Sequence, residues 1–314
     1  MTDTYLITGG MGCIGAWALY HLLQDGKQVV NFDQSTDTHR LDWLMSPEEQ
    51  EKITFVQGDL RDTNAVKAVF ADNNITHVIH LAALQVPMCR ANPVLGAQVN
   101  VVGTVNIFEA ARERELKNVA YASSIAVYGP PSDYPPGLIA HDAPKTPRTL
   151  YGAYKVANET TAEIYFNDYG IASTALRPYT VYGVGRDQGM TSEPTKALLA
   201  VAKGESYSIN FGGEMQFHFA SDVARQFILA SEQSLGGAHV FNMGQQPKSV
   251  TEFVDIVKTI VPSASVDVAD TTLPFPMGFD DSELRNHFDT IYETPLADGI
   301  QQTLDHVKKL GDKI

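Results

Sequence analysis

The chain has 314 residues, with 44% hydrophobic and 19% charged side chains, which excludes disordered, collagen-like and coiled-coil readings. At roughly 100–200 residues per domain it accommodates one large domain or two that share a core. Its 23 Lys and Arg against 37 Asp and Glu give a formal net charge of −14, which repels phosphate backbones and anionic surfaces; neither nucleic acid nor a membrane is an expected partner.

Only Cys13 and Cys89 occur, too few for a disulfide scaffold and without CxxC spacing, so free thiols in a reducing, cytoplasmic setting are expected. No HExxH or histidine pair at i, i+4 offers a zinc site, and no metal is expected. The N-terminus has no basic leader, and no continuous apolar run reaches about 18 residues.

In chain order, Tyr5 to Thr8 reads as a strand, Gly9 and Gly10 as a turn, and Ile14, Trp17, Ala18, Leu22 and Leu23 as one face of a helix. Strands follow at Gln28 to Asp33, Ile53 to Val56 and His77 to Leu81, with a helix over Asn64 to Ala71. His77 and His80 are three apart on a strand, so they face opposite sides and read as sheet residues. A long helix spans about Val94 to Arg114, a strand Asn118 to Ser124, a helix Tyr151 to Tyr169 and a strand Ala172 to Arg177. Strands alternating with helices predict a parallel α/β sheet.

After Pro178 the elements shorten and glycines multiply, which suits a specificity region. His239 to Asn242 reads as a strand returning to the main sheet, Val250 to Ile260 and Ala297 to Leu310 as helices, and Thr271 to Met277, with Pro274 and Pro276, as a loop. The expected division is a dinucleotide-binding domain at 1–177 and a mainly substrate-binding region at 178–314, with about 215–245 returning to the first core.

Gly10-Met11-Gly12-Cys13-Ile14-Gly15 matches GxGxxG between a strand and a helix, the context in which glycines let backbone amides and the helix dipole meet a pyrophosphate. Asp33 ends the next strand, where a carboxylate accepts adenosine ribose hydroxyls and repels a 2′-phosphate; the cofactor this favours is NAD. His39 and Arg40 lie too far along to be expected phosphate ligands. Asp59 suits either the adenine amino group or a helix cap ahead of Leu60 to Val69. Cys13 reads as packing rather than reactive.

Tyr151 and Lys155 are spaced i, i+4 and so share one helix face, where an ammonium lowers a phenol toward acid/base use. Tyr154 is about 100° away around the axis and reads as a packing or rim residue. Ser123 and Ser124 end the preceding strand, and Ser124 is positioned to hold the oxygen whose proton Tyr151 exchanges.

These motifs, with Gly58-Asp59-Leu60, His80-Leu81-Ala82-Ala83, Asn100 before Gly103-Thr104, and Leu176-Arg177-Pro178 through Val181-Tyr182-Gly183, resemble those of extended short-chain dehydrogenases/reductases of the NAD-dependent epimerase/dehydratase family. The resemblance runs from Thr4 to about Leu304. It implies a Rossmann-type doubly wound sheet with a small C-terminal substrate domain, and Ser124, Tyr151 and Lys155 as the catalytic set. It also implies NAD along the strand ends, against Gly9, Gly12, Cys13, Ile14, Gly15, Asp33, Asp59, Leu60, Leu81, Ala82, Ala83, Asn100, Ser123, Tyr151, Lys155 and Pro178. A homodimer through the long central helices is common in such a family.

Three departures bear on substrate. Ser124-Ile125-Ala126 stands where dehydratases of the family carry an acid pair, and apolar side chains cannot donate the proton that dehydration needs. Thr180 stands where sugar-nucleotide enzymes often have asparagine, and Met215 where they have a nucleotide-facing arginine. Arg186 remains for a carboxylate or phosphate, and Gln85 and Thr180 for hydroxyls. The expected activity is carbohydrate epimerisation by transient oxidation of a secondary alcohol; the alternatives are net dehydrogenation of a small sugar or sugar acid, and a non-catalytic NAD-binding role.

Overall fold

A computed structural model describes residues 3–311; the outermost ends of the two expected regions, 1–2 and 312–314, lie outside the described residues. The N-terminal half alternates β1 (Thr4–Thr8), α1 (Cys13–Gln24), β2 (Gln28–Asp33), short helices α2 (His39–Asp42) and α3 (Pro47–Gln50), β3 (Ile53–Gln57), α4 (Thr63–Asp72) and β4 (His77–His80). Then come α5 (Val86–Ala91), α6 (Pro93–Ala97), α7 (Gly103–Glu113), β5 (Asn118–Ala122), α8 (Leu150–Tyr169) and β6 (Ala172–Arg177). The remainder contributes β7 (Thr180–Tyr182), α9 (Glu193–Ala202), β8 (Tyr207–Ile209), β9 (Glu214–Met215), β10 (Phe217–Phe219), α10 (Ala220–Glu232), β11 (Ala238–Asn242), β12 (Lys248–Ser249), α11 (Val250–Ile260), β13 (Val266–Val268), α12 (Ser282–His287) and α13 (Leu296–Leu310).

Seven strands form one sheet in the order β11-β6-β5-β4-β1-β2-β3, and every pairing is parallel. The order reverses beside β1, so the loops after β1 and β4 diverge there and open a crevice at the carboxyl ends of the strands. Fully parallel sheets are covered on both faces. Trp17, Leu19 and Leu22 of α1 and Val223 and Phe227 of α10 fill one face, while Val66 and Phe70 of α4, Ile107 and Phe108 of α7 and Ala162 of α8 fill the other. A third cluster, with Phe211, Phe217, Phe253 and Phe279, forms the core of the C-terminal half.

Of the stretch 215–245, α10 packs on α1 and β11 pairs with β6, whereas β10 pairs with β7 and β9 with β12, outside the main sheet. The expected helix at Val94 to Arg114 is interrupted by a π-helical turn over Gln98–Val102. The run Pro93–Glu113 has the length and hydropathy to cross a membrane, yet Ile107, Phe108, Ala110 and Ala111 within it are core residues of the sheet. His80 is buried between Thr8 and Thr104, with its ring nitrogens 2.7 and 3.0 Å from their hydroxyls, while His77 stacks on Tyr5.

Candidate active site

A cavity of about 400 Å³ runs along the carboxyl ends of the strands. One end is the turn between β1 and α1. Gly9 has φ +77°, and a Cβ there would lie 2.7 Å from the Ala82 amide nitrogen; on Gly15 it would collide with the Gly9 carbonyl oxygen. The backbone therefore folds on itself where a side chain has no room. No side chain caps α1, so the first-turn amides at Cys13 and Ile14 face the cavity without a protein acceptor.

Asp33 accepts from the Met11 amide at 3.0 Å through Oδ2 and from the Ser35 amide at 3.0 Å through Oδ1, fixing the turn beside the cavity. Each carboxylate oxygen keeps a second lone pair for a ribose hydroxyl. This glycine cradle, uncapped helix and carboxylate fit a dinucleotide whose ribose bears free hydroxyls.

Asp59 is not the cap of the following helix: Asp62 is, accepting from the Asn64 and Ala65 amides, because the chain makes a further turn before α4. The Asp59 carboxylate is held by Arg61 at 2.5 Å and lines the cavity, where Arg61 draws its pKa down. Leu60, Leu81, Ala82, Ala83, Ser123 and Pro178 also line the cavity.

Asn100 does not. Its amide donates to the Leu84 carbonyl at 2.9 Å and accepts from the Leu84 amide at 2.7 Å, because the π-helical turn aims it at the loop after β4. It shapes that wall of the cavity from behind. Cys13 lines the cavity, and burial pushes its thiol up to about 11, consistent with a packing residue.

At the other end, β5 delivers Ser124 and α8 delivers Tyr151 and Lys155. Thr149 caps α8 by accepting from the Gly152 amide at 3.0 Å, and Lys155, Asn158, Glu159, Ala162 and Tyr165 form its buried stripe. A Cβ on Gly152 would collide with the Ala126 carbonyl, so glycine is what lets α8 lie against the turn after Ser124.

Burial raises the pKa of the Tyr151 phenol, while its interaction with Ser124 and the positive charge of Arg186 draw it back down. Lys155, expected as the charge that tunes Tyr151, donates to the Ala122 carbonyl at 2.6 Å, with Nζ 5.6 Å from the centre of the Tyr151 ring. Burial lowers the Lys155 pKa to about 8, so near neutral pH it remains an ammonium. Tyr154 points away and donates to the Pro93 carbonyl at 2.9 Å.

Beneath Ser124 lies a buried ionic cluster that the motifs did not reveal. Glu159 receives both Arg177 Nε (2.7 Å) and Nη2 (2.8 Å), Ser123 Oγ (2.5 Å) and Lys145 Nζ (2.8 Å). Arg177 also donates to the Tyr128 hydroxyl at 2.7 Å.

Gln85 and Arg186 line the cavity near Tyr151, but Thr180 does not. It is fully buried on β7 with its hydroxyl 3.2 Å from Met215 Sδ, because alternation along the strand turns it to the C-terminal core. The same alternation brings its neighbours Tyr179 and Val181 to the cavity. Met190, Thr191 and Phe275 complete this wall. Strand periodicity signals Tyr179 and Val181; Phe275 arrives on the Thr271 to Met277 loop, and no local pattern marks it. Arg40 also reaches the cavity, bonded to the Met11 and Gly185 carbonyls and to Asp187 at 2.7 Å.

The model of the NAD dependent epimerase/dehydratase family matches residues 5–244. A UDP-glucose 4-epimerase of Mycolicibacterium smegmatis is 35% identical over 248 residues, covering 76% of each chain. The crystal structure of Thermus thermophilus UDP-glucose 4-epimerase in complex with NAD superposes with a TM-score of 0.82 at 26% identity, covering 97% of this chain and 99% of that one. An L-threonine dehydrogenase from Clostridium difficile superposes with a TM-score of 0.87 at 21% identity, which shows a shared fold. The chain is therefore an enzyme that uses NAD, and it belongs to the NAD-dependent epimerase/dehydratase family.

Proposed function

We propose that the enzyme oxidises a secondary alcohol of a carbohydrate, and that as an epimerase it returns the hydride to the opposite face of the transient ketone. The carrying observation is that Ser124, Tyr151 and the buried Lys155 ammonium share one cavity with the glycine cradle. Bound NAD supplies the hydride acceptor and a positively charged ring.

The chain's own residues handle the oxygen and its proton. Tyr151 Oη takes the hydroxyl proton and gives it back on return, and Ser124 Oγ donates to the oxygen as it gains negative charge. Lys155, fixed on the Ala122 carbonyl, holds a positive charge under the Tyr151 ring and favours the phenolate. Tyr179, Val181 and Phe275 restrict water on the substrate side.

The second reading, net dehydrogenation of a small sugar or sugar acid, draws support from two positions. Thr180 and the 2%-exposed Met215 bond to each other inside an apolar core, leaving no cation or amide there for a diphosphate. Exposed Val94, Val102 and Ile164 on the central helices support the expected homodimer.

Tyr151→Phe tests the chemistry. It should retain NAD binding and lose roughly 10²–10⁴-fold in turnover. Activity close to that of the parent would remove Tyr151 as the acid/base.

A further inference from the structure

The cations that line the cavity among the described residues are Arg40, Lys155 and Arg186. Two are committed. Arg40 is paired with Asp187 and bonded to two backbone carbonyls, and Lys155 is held by the Ala122 carbonyl.

Arg186 is different. Its guanidinium makes one long hydrogen bond, 3.3 Å to the Thr191 hydroxyl, and its Nε is buried without a partner. The carboxylate nearest in sequence, Asp187, is turned to Arg40 and His39. The side chain is half-buried, and a buried guanidinium N–H without an acceptor is costly unless a ligand completes it.

The space in front of it is also defined. Gly189 has φ +109°, and a Cβ on it would lie 2.8 Å from Arg186 Nη2 and 2.7 Å from Gln85 Oε1. The guanidinium and the carboxamide therefore converge over a position that carries no side chain. The positive charge acts on both the Tyr151 hydroxyl and the Cys13 thiol, so this niche lies between the reacting end of the cavity and the first turn of α1.

We propose that Arg186, assisted by Gln85 and Thr191, binds the carboxylate of a small hydroxy acid and presents its carbinol carbon to Tyr151. The inference rests on the alcohol oxidation proposed above and names its substrate class. A planar guanidinium matches a carboxylate through paired N–H donors. A single free cation beside an apolar wall suits one carboxylate better than a nucleoside diphosphate. The step balances: the carbinol C–H leaves as hydride to NAD, the O–H proton passes to Tyr151, the carbon becomes a ketone, and the carboxylate is unchanged.

The test uses NAD-loaded protein with two sets of compounds: threonate, gluconate, galactonate and glucuronate as acids, and threitol, glucitol, glucose and UDP-glucose without that carboxylate. NADH absorbance reads net oxidation and proton NMR reads epimer formation. At least one acid should turn over while its uncharged counterpart does not. Arg186→Gln should lower kcat/KM for that acid by roughly tenfold to a hundredfold, with NAD affinity by fluorescence titration within about twofold. Arg186→Lys, which keeps the charge and loses the planar fork, should fall between the two.

Turnover of UDP-glucose or a neutral polyol as good as any acid would overturn this inference and leave the alcohol oxidation standing. Loss of NAD affinity in Arg186→Gln would assign the arginine to the cofactor instead. Absence of hydride transfer from every compound, with NAD bound, would count against the inference and the reading beneath it together.

Discussion

Glu159→Gln separates the ionic cluster under the active site from the chemistry above it. Glu159 and Arg177 are each 2% exposed in their side chains and joined by two hydrogen bonds of 2.7 and 2.8 Å. Burial alone would raise the Glu159 pKa, but Arg177 and Lys145 pull it below the ordinary carboxylate value, so it is ionised at neutral pH. Neutralising it leaves a buried guanidinium without a counter-charge, with one amide oxygen at position 159, the Tyr128 hydroxyl and Asn242 as its acceptors. Breaking a buried pair in this way costs about 3–5 kcal/mol. With an unfolding entropy of about 2.1 cal/mol/K per residue, a chain of this length should lose about 5–8 °C in Tm.

Thermal unfolding followed by circular dichroism, with and without NAD, gives the value. The double variant Arg177→Met with Glu159→Leu removes both charges and should recover most of the loss, since apolar replacement of a buried pair is often neutral. A Tm within a degree of the parent for Glu159→Gln, or a double variant that falls by the sum of the two single changes, would refute the assignment of this cluster as a coupled buried pair.

Other outcomes follow from the same geometry. Asp33→Asn keeps an acceptor for the Met11 amide and removes the charge that repels a 2′-phosphate, so the preference for NAD over NADP should narrow by roughly tenfold or more. Equal ratios of the two dissociation constants before and after would take Asp33 away from the ribose. Burial also lowers the pKa of His21 to about 4, His80 to about 3 and His218 to about 4. The unfolded chain binds protons on these rings below about 6.5 that the folded chain refuses, so stability falls as pH falls from about 6.5 to 4. The slope approaches about 1.4 kcal/mol per pH unit for each histidine. Urea unfolding at pH 7, 6 and 5 reads it, and a flat profile would mean that these rings are solvated or protonated in the folded state.

The sheet was legible because each strand ends in a turn signal and each helix carries its own apolar stripe. Asp33, Ser124, Tyr151 and Lys155 stood out for the same reason: each sits at a strand end or on a helix face that local periodicity defines. The misplacements have different origins. Asn100 faces Leu84 because a π-helical turn shifts the helix by a residue. Thr180 turns inward by strand alternation, which puts Tyr179 and Val181 on the cavity side of β7. Glu159 lies on the readable stripe of α8, but its partners Arg177 and Lys145 come from other elements, and only the fold brings them together.

The most direct test of the account follows the hydrogen on the reacting carbon. The compound from the panel above that turns over is prepared with deuterium at its carbinol carbons, and the cofactor released by denaturing the protein after a single turnover is weighed by mass spectrometry. The account predicts that in the parent protein the deuterium is retained, on the product's carbinol carbon where the hydride returns or on the cofactor where oxidation is net, and that Tyr151→Phe transfers none. Product formed while the cofactor stays unlabelled, with the deuterium washed into solvent, would contradict hydride transfer and point to proton abstraction at carbon.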